Sequence, residues 1–319
     1  MKPRILLTGK NGQLGGELQT LLLRFGETIA LGHAELNLAD PDAVRRIVRE
    51  SRPALIVNAA AYTAVDQAES DEATAHAVNA VAPGILAEEA KKLGALLVHY
   101  STDYVFDGSK GSPYDESDPP GPLSAYGRTK LAGEQAIQAT GAAHLIFRTE
   151  WVYATRGRNF LLTILRLTTQ REELRIVDDQ LGAPTWSRMI AAATARILER
   201  HSPSLLAERS GVYHLTAAGQ TTWYGFARAI LEECADPSRL GPWFAEATGG
   251  RPLVTQRILP IATSDYPTPA RRPLCSVLSN NKLRRTFAIE LPDWRAQLHW
   301  AMSGDEADRL PDLASGGKR

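Results

Sequence analysis

The alternation of apolar and polar segments is most regular in the first half of the chain. Short apolar segments with the length of buried strands cover residues 4–9, 28–32, 54–61, 96–102 and 144–153. The segments between them carry apolar residues at helical spacing and cover residues 14–25, 41–50, 72–93 and 124–139. Strands that alternate with helices predict an α/β fold with a Rossmann-like, doubly wound parallel sheet.

The pattern becomes less regular after Tyr153. Helical spacing recurs at 159–170, 188–200, 221–234 and 291–302, and one more strand is expected at 211–217. We expect residues 1–155 to form the main sheet domain, with returning segments at about 176–217 and 252–263. Residues 156–302 should form mainly a smaller C-terminal domain, and the charged segment 303–319 a flexible tail.

Composition and charge narrow the class of protein. The 319 residues are 44% hydrophobic and 23% charged, which is ordinary for a globular protein. The 36 basic and 36 acidic residues cancel, which argues against a general binder of nucleic acid polymers or membranes. Neither Cys234 nor Cys275 belongs to a metal-binding spacing, and no signal or membrane-spanning segment is visible. The sequence therefore predicts a soluble cytoplasmic protein.

A glycine-rich turn follows the first predicted strand and opens the first predicted helix. Its sequence, TGKNGQLGGEL, places glycines at positions 9, 12 and 15. Gly9 permits a tight turn, Gly12 lets a pyrophosphate approach the backbone, and Gly15 lets the helix lie close to the strand. The helix N-terminus offers free N–H groups to phosphate. We therefore expect an NAD(P)-binding domain at 1–155 and a substrate domain at 156–302.

The end of the second strand bears on the choice of nicotinamide cofactor. Sites that bind NAD carry an acid there, which accepts a hydrogen bond from the ribose. Here the segment reads ALGHAELN, and Glu35 comes only after the strand. Lys10 could reach a 2′-phosphate, although a surface lysine explains it almost equally well. We expect NADPH to be preferred and NADH to be accepted.

Tyr126 and Lys130 lie four residues apart in the helix predicted at 124–139, so they share one helical face. A nearby ammonium would lower the pKa of the phenol, which is ordinarily about 10 and too high for acid–base work at neutral pH. Tyr126 would then donate a proton to a carbonyl oxygen while hydride reaches the carbon. For the motif taken alone, an exposed Tyr–Lys pair remains the alternative.

Further motifs extend from residue 9 to residue 273 and read GKNGQLG, NAAAYTAVDQAE, STDYVFDG, RTEWVY, DQLGAPT and YPTPARRP. Together they resemble the extended short-chain dehydrogenase/reductase family, and within it the dTDP-4-dehydrorhamnose reductase family. The resemblance covers most of the chain. The last two motifs lie outside the cofactor fold and are more specific than the Tyr–Lys spacing.

The resemblance implies a role for each matching residue. The implied catalytic residues are Thr102, Tyr126 and Lys130. The implied cofactor-binding residues are Gly9, Gly12, Gln13, Leu14, Asn37, Leu38, Ala59, Ala60, Ala61, Tyr62, Tyr126 and Lys130. The implied substrate-binding residues are Thr102, Asp103, Tyr104, Tyr126, Trp151 and Asn159, with the Trp151 ring packed against the sugar.

Some positions depart from the family pattern. Asn37 stands where the family often has Asp, and Glu150 stands where it often has Ser. A charge at 150 either alters the sugar pocket or points away from it. Some family members dimerise through magnesium held by carboxylates; Glu17 matches one such position and Glu199 is a further candidate. We predict no defined metal site.

The resemblance implies reduction of the C4 ketone of dTDP-4-dehydrorhamnose to dTDP-L-rhamnose, in dTDP-rhamnose biosynthesis. The expected partner is the dTDP-sugar, and a homodimer is compatible with the sequence. Arg272 either pairs with the substrate diphosphate or is a solvated charge. One alternative is another nucleotide-sugar 4-ketoreductase or an epimerase of the same fold. The other is a non-catalytic regulatory homologue that resembles the regulatory subunit of methionine adenosyltransferase.

Overall fold

The computed structural model describes residues 2–304. The strands are β1 (Arg4–Thr8), β2 (Glu27–Leu31), β3 (Leu55–Asn58), β4 (Leu96–Thr102), β5 (His144–Thr149), β6 (Val152–Tyr153), β7 (Glu173–Val177), β8 (Leu181–Gly182), β9 (Thr185–Trp186), β10 (Gly211–His214), β11 (Thr221–Thr222) and β12 (Arg257–Ile261). The α-helices are α1 (Gln13–Leu22), α2 (Pro41–Ser51), α3 (Val65–Ala68), α4 (Glu72–His76), α5 (Ala82–Leu93), α6 (Ala125–Thr140), α7 (Phe160–Thr168), α8 (Ser187–Arg200), α9 (Pro203–Glu208), α10 (Trp223–Glu233), α11 (Trp243–Thr248), α12 (Asn281–Phe287) and α13 (Trp294–Ser303).

The centre of the fold is a six-stranded parallel sheet with the order β10-β5-β4-β3-β1-β2. The chain passes from β1 outward to β2 and then crosses back to β3 on the other side of β1. The strand order therefore reverses between β1 and β3. In doubly wound sheets such a reversal leaves a crevice beyond the carboxyl ends of the strands, where ligands bind. The predicted fold class is confirmed.

Both faces of the sheet are covered, which explains why the strands read as continuous apolar runs. Ile5 and Leu7 of β1 belong to one hydrophobic cluster, whereas Leu6 belongs to the cluster on the opposite face. Helix α2 begins as its sequence indicates, because Asp40 accepts hydrogen bonds from two first-turn amides and Pro41 occupies the first turn. These elements follow directly from local sequence.

Three sequence-based boundaries need correction. The helix expected at 72–93 is interrupted by a π-helical turn at Ala77–Val81. The strand expected at 144–153 ends at Thr149, because Trp151 adopts a left-handed φ of 43° and turns the chain out of the sheet. Strand β12, within the expected returning segment 252–263, pairs with β7 in a separate two-stranded sheet. Strand β10, within 176–217, does join the main sheet.

The division into a cofactor domain and a substrate domain stays a prediction. Helix α13 continues to Ser303, and the predicted flexible tail beyond Gly304 lies outside the described residues. Across residues 2–304 no helix is both long enough and apolar enough to cross a membrane.

The packing of α1 on β1 depends on Gly15. A methyl group at this position would collide with the backbone carbonyl of Gly9 rather than with a flexible side chain. We predict that Gly15→Ala destabilises the protein by about 1–3 kcal/mol, as overpacking does elsewhere. The matched control is Gly16→Ala on the same helix, where the added methyl would meet only the flexible end of Arg156. Urea unfolding of both variants measures the difference; equal stabilities would contradict this packing argument.

Candidate active site

A cleft of about 710 Å³ opens beyond the carboxyl ends of β1, β3 and β4, at the reversal of strand order. Its walls come from the glycine turn after β1, the segment after β3, the end of β4 and the first turns of α6. The size is within the ordinary range for a small-molecule or cofactor site. The geometry of each wall indicates what the cleft can hold.

The glycine turn forms a backbone cradle at one end of the cleft. Gly9 has a φ of 78°, and an added Cβ would lie 2.8 Å from the backbone carbon of Ala59. Its amide donates to the carbonyl of Leu31 (2.8 Å), and the Gly12 amide donates back to Gly9 (2.9 Å). No side chain caps the N-terminus of α1. This cradle fits a dinucleotide pyrophosphate, which binds free amides at a helix N-terminus.

The predicted acid Tyr126 lies in the first turn of α6, which Ser124 caps by accepting from the amide of Gly127 (3.2 Å). The Tyr126 ring lines the cleft and makes an edge contact with Tyr104. Burial raises the pKa of Tyr126 to about 12, with the Thr102 hydroxyl opposing this rise and the charge of Asp103 adding to it. At neutral pH Tyr126 is therefore a neutral phenol that can donate a proton.

Lys130 is 1% exposed and contributes to the lining of the cleft. Its Nζ donates to the carbonyl oxygen of Tyr100 (2.6 Å) and lies 3.4 Å from Nε2 of His99. Burial lowers the pKa of Lys130 to about 8, and the charge of Glu134 opposes this fall. The expectation that the Lys130 ammonium lowers the pKa of Tyr126 is therefore wrong for this structure, because burial dominates the phenol.

Thr102 closes β4 and connects the cleft to the interior. Its hydroxyl donates to Oδ1 of Asp103 (2.9 Å) and accepts from the amide of Tyr104 (3.2 Å). Burial raises the pKa of Asp103 to about 6, although hydrogen bonds from Ser276 and Thr102 oppose the rise. The direction in which the Thr102 hydroxyl points its proton therefore depends on whether Asp103 is ionised.

The structure brings most of the sequence-predicted site residues together. Those that line the cleft are Gly9, Gly12, Gln13, Leu14, Leu38, Ala59, Ala60, Ala61, Thr102, Asp103, Tyr104, Tyr126, Lys130 and Trp151. Residues from six separate segments of the chain therefore meet at one sheet edge. Their individual roles stay predictions.

Three predicted residues do not line the cleft. Asn37 is exposed and accepts a hydrogen bond from the amide of Ala39. Tyr62 points to Asp71, with its hydroxyl 3.3 Å from the carboxylate. Asn159 caps α7 and donates to the side chain of Gln13 (2.8 Å), so it supports a cleft residue from behind.

Trp151 lies at the mouth of the cleft, where its left-handed backbone turns the chain away from the sheet. One face of its ring stacks on Trp223, with ring centres 3.5 Å apart and planes 8° apart. The backbone of Gly182 lies so close to the ring that a side chain there would collide with it. Packing of Trp151 against the sugar stays a prediction, and Trp223 belongs to the same aromatic surface.

Two charged groups near the cleft are already paired. Arg272 donates to Asp66 (2.8 Å) and also contacts Thr268 and the carbonyl of Ala270. Arg272 is thus ion-paired in this structure, and its contact with a substrate diphosphate stays a prediction. Lys10 and Glu35 form an ion pair at 2.5 Å, and the remaining Glu35 oxygen accepts from an amide at the end of β2. An acid therefore does reach the end of β2, but a lysine accompanies it.

Comparison with known proteins agrees with this geometry. A family model described as the RmlD substrate binding domain matches residues 1–305. The chain belongs to this family. It is 53% identical over 294 residues to the dTDP-4-dehydrorhamnose reductase of Burkholderia thailandensis. The aligned region covers 92% of this chain and 95% of the relative. It is 44% identical over 297 residues to the enzyme of that name from Escherichia coli K12, with coverages of 91% and 94%.

A solved relative within the same fold carries a cofactor. The crystal structure of dTDP-4-dehydrorhamnose reductase from Bacillus anthracis in complex with NADP has a TM-score of 0.81 to this chain and 32% sequence identity. The matched region covers 93% of this chain and 98% of the chain of the Bacillus anthracis protein. The similarity therefore extends over both halves of the molecule.

The carboxylates considered for magnesium are engaged in ion pairs. Glu17 pairs with Arg156 (3.2 Å) and Arg188 (3.1 Å), and Glu199 pairs with Arg196 (2.8 Å). Within the described part of the chain no group of three or more His, Cys, Asp or Glu side chains is arranged to hold a metal.

Sequence reasoning missed the polar support beneath Lys130. His99 lies within β4 with its Nδ1 3.0 Å from Nδ2 of Asn58, whose Oδ1 accepts from Thr8 (2.6 Å). The signal was present, since a histidine interrupts the apolar run LLVHYST and an asparagine ends the run LIVN. Buried polar residues in such runs need partners, which only the sheet register identifies.

The buried ammonium of Lys130 leads to a pH-dependent prediction. The unfolded chain holds the lysine proton up to about pH 10.5, whereas the folded protein releases it near pH 8, so the unfolded state binds more protons in between. Wild-type stability should therefore rise across this window, relative to Lys130→Met, by roughly 3 kcal/mol in total. Urea unfolding at several pH values measures the difference. Lys91→Met, at an exposed position, is the control; a flat Lys130→Met difference would contradict the prediction.

Proposed function

We propose that this protein reduces the C4 ketone of dTDP-4-dehydrorhamnose to dTDP-L-rhamnose with NADPH, in dTDP-rhamnose biosynthesis. The observation that carries the proposal is the meeting of Thr102, Tyr126 and Lys130 in the same cleft as the glycine cradle. The proposal is supported by the relative that is 53% identical over nearly the whole chain and is named dTDP-4-dehydrorhamnose reductase.

The proposed mechanism divides the reduction between hydride and proton. The nicotinamide supplies the hydride to C4 of the sugar when the cofactor is bound. Tyr126 donates its phenolic proton to the C4 oxygen, which becomes the product hydroxyl. Thr102 hydrogen-bonds the same oxygen and holds it beside Tyr126. Lys130, fixed by the Tyr100 carbonyl, offers a donor to the nicotinamide ribose.

The end of the cleft at Trp151 is proposed to hold the sugar nucleotide. Trp151 and Trp223 present a stacked aromatic surface at its mouth, which suits the C–H groups and the C6 methyl of a deoxysugar. Asp103 and Tyr104 line the same end. The Asp66–Arg272 ion pair joins the YPTPARRP loop to the segment after β3, which lines the cleft at Thr63 and Val65.

A 4-ketoreductase acting on another nucleotide sugar, or an epimerase, uses the same fold. An epimerase retains its NAD during purification, so a protein that binds NADPH reversibly favours the reductase. A regulatory homologue without activity has no use for a complete Thr–Tyr–Lys set. We further propose a cytoplasmic location, where Cys234 and Cys275 remain reduced thiols, and a homodimer as the assembly to test.

The central test is product identification with a Tyr126 variant. Tyr126→Phe keeps the ring but removes the proton donor, so kcat should fall by about 10²–10⁴-fold while the NADPH dissociation constant stays unchanged. The control is Tyr153→Phe. Tyr153 does not line the cleft, and its buried hydroxyl has no hydrogen-bond partner among the described residues. The wild type should convert the 4-keto sugar nucleotide to dTDP-L-rhamnose, identified by NMR. Near-normal turnover by Tyr126→Phe would exclude it as the acid.

The Lys10–Glu35 pair predicts how cofactor preference can be changed. Lys10 lowers the pKa of the Glu35 carboxyl, so the acid is ionised near the position of the ribose 2′-substituent. Glu35→Gln removes this negative charge and frees Lys10 for a 2′-phosphate. The ratio of NADH to NADPH dissociation constants should rise on the order of 5-fold, measured by fluorescence titration. Glu27→Gln, at the opposite end of β2, is the control. An unchanged ratio would remove Glu35 from cofactor selection.

A further inference from the structure

The sequence motif DQLGAPT, at residues 179–185, has no assigned part in the proposed reaction. Its strand β8 pairs antiparallel with β11, and Leu181 lies opposite Thr222. Gln180 directly precedes β8, and Trp223 directly follows β11. Because the strands are antiparallel, the same register places Gln180 opposite Trp223. The pairing thus connects the motif to one of the two tryptophans at the mouth of the cleft.

The side chain of Gln180 is buried and uses both ends of its amide. Its Oε1 accepts a hydrogen bond from Nε1 of Trp223 (3.1 Å), and its Nε2 donates to the hydroxyl of Thr263 (3.0 Å). Thr263 is fixed in turn, because its amide and its hydroxyl both donate to the carboxylate of Asp179. An indole N–H can only donate, so the oxygen of Gln180 must face Trp223.

The hydrogen bond from Gln180 gives the Trp223 ring a direction that its apolar contacts do not. The ring stacks on Trp151 and packs against Phe160, with ring centres 4.6 Å apart in the second pair. Apolar contacts are not directional, so they leave a ring free to slide within its own plane. The indole N–H is the only polar group of the ring, and its hydrogen bond is directional. Gln180 therefore fixes the in-plane position of Trp223.

The same motif also contacts the second ring of the stack. Two residues after Gln180, a Cβ added to Gly182 would lie 2.7 Å from Nε1 of Trp151. Both tryptophans line the cleft, whereas Gln180 and Gly182 do not. The motif therefore supports the aromatic pair from outside the cleft, through Gly182 at one ring and Gln180 at the other.

We propose that Gln180 is a positioning residue for the sugar subsite and acts through Trp223. By accepting from the indole N–H it holds the Trp223 ring on Trp151, so that the pair presents one rigid aromatic wall to the sugar. A wall that is already ordered loses less conformational entropy when a ligand binds. The inference rests on the proposed function, because it takes the mouth of the cleft as the site of the sugar.

The first test needs no turnover. In the ¹⁵N-labelled full chain, each of the 6 tryptophans contributes an indole N–H resonance, and Trp223→Phe identifies the one from Trp223. Without ligands, Gln180→Met should speed exchange of this proton with D2O by roughly 3- to 10-fold, the effect of losing one neutral hydrogen bond. Gln180→Glu keeps an acceptor oxygen in either charge state, so exchange should stay slow. Equal exchange in the wild type and Gln180→Met would overturn the proposal.

The second test measures turnover of the 4-keto sugar nucleotide. Gln180→Met keeps the length of the side chain but has no good acceptor, so KM for the sugar should rise roughly 3- to 10-fold. The kcat should stay within about 3-fold, because the interaction serves binding in the ground state and the transition state alike. The NADPH dissociation constant should not change. A role in stability alone would lower the active fraction and hence kcat, and would leave KM unchanged. The control is Gln220→Met, at the exposed glutamine that precedes β11.

The outcomes separate the possible failures. A KM that rises in Gln180→Met and returns in Gln180→Glu supports the proposal. An unchanged KM in Gln180→Met, or an equal rise in both variants, overturns it. If Gln180→Met does not fold, Trp223→Phe removes the donor instead of the acceptor, and an unchanged KM there overturns the proposal. If the wild type does not turn over the 4-keto sugar at all, the proposed function fails, while indole exchange still decides whether Gln180 holds Trp223.

Discussion

The parallel alignment of the central strands is the constraint on which the site depends. Because β1, β3, β4 and β5 all run in one direction, the residues that follow them meet at one edge of the sheet. The glycine cradle, the alanines after β3, Thr102 and Trp151 all occupy such positions. The reversal between β1 and β3 opens the edge into a cleft. The residues proposed for catalysis and those proposed for cofactor binding are far apart in the sequence. The order and direction of the strands bring them together.

A second group of polar residues, beneath the cleft, fixes helix α6, which carries Tyr126, against the sheet. Arg148 forms a buried two-pronged ion pair with Glu134 of α6, at 2.9 and 2.7 Å, and Ser101 donates to the same carboxylate at 2.5 Å. Such a pair is costly to break from one side, because it leaves a buried charge without a partner. It ties α6 to β4 and β5. The position of Tyr126 thus follows from an ion pair that the cleft never exposes.

The irregular backbone after β5 places the Trp151 ring at the mouth of the cleft. Two residues past the strand, Trp151 takes a left-handed φ of 43°, which costs free energy for a residue other than glycine. The stack on Trp223 and the close backbone of Gly182 hold it there. The same turn directs Glu150 inward rather than into the cleft. Contacts from Gly182 and Trp223 thereby determine which way the side chains of Glu150 and Trp151 point.

Much of the fold and part of the site were predictable from the sequence alone. The alternating strands and helices, the Asp40–Pro41 helix start and the spacing of Gly9, Gly12 and Gly15 are local patterns, and each led to a correct structural expectation. Their physical basis lies within a few residues: burial of both sheet faces, capping, and the positive φ that glycine permits. Local determinants of this kind do not require knowledge of distant contacts.

What the sequence left open depends on contacts between distant segments. The pKa of Tyr126 rises, and Lys130 turns to Tyr100 and His99, because burial outweighs the effect of their helical spacing. Arg272 pairs with Asp66 across 206 positions of sequence. The sequence determined which chemical groups are present and which local elements carry them. Only the tertiary structure decided their partners, charge states and directions, because desolvation and pairing energies are set by whichever residues the packed sheet brings together.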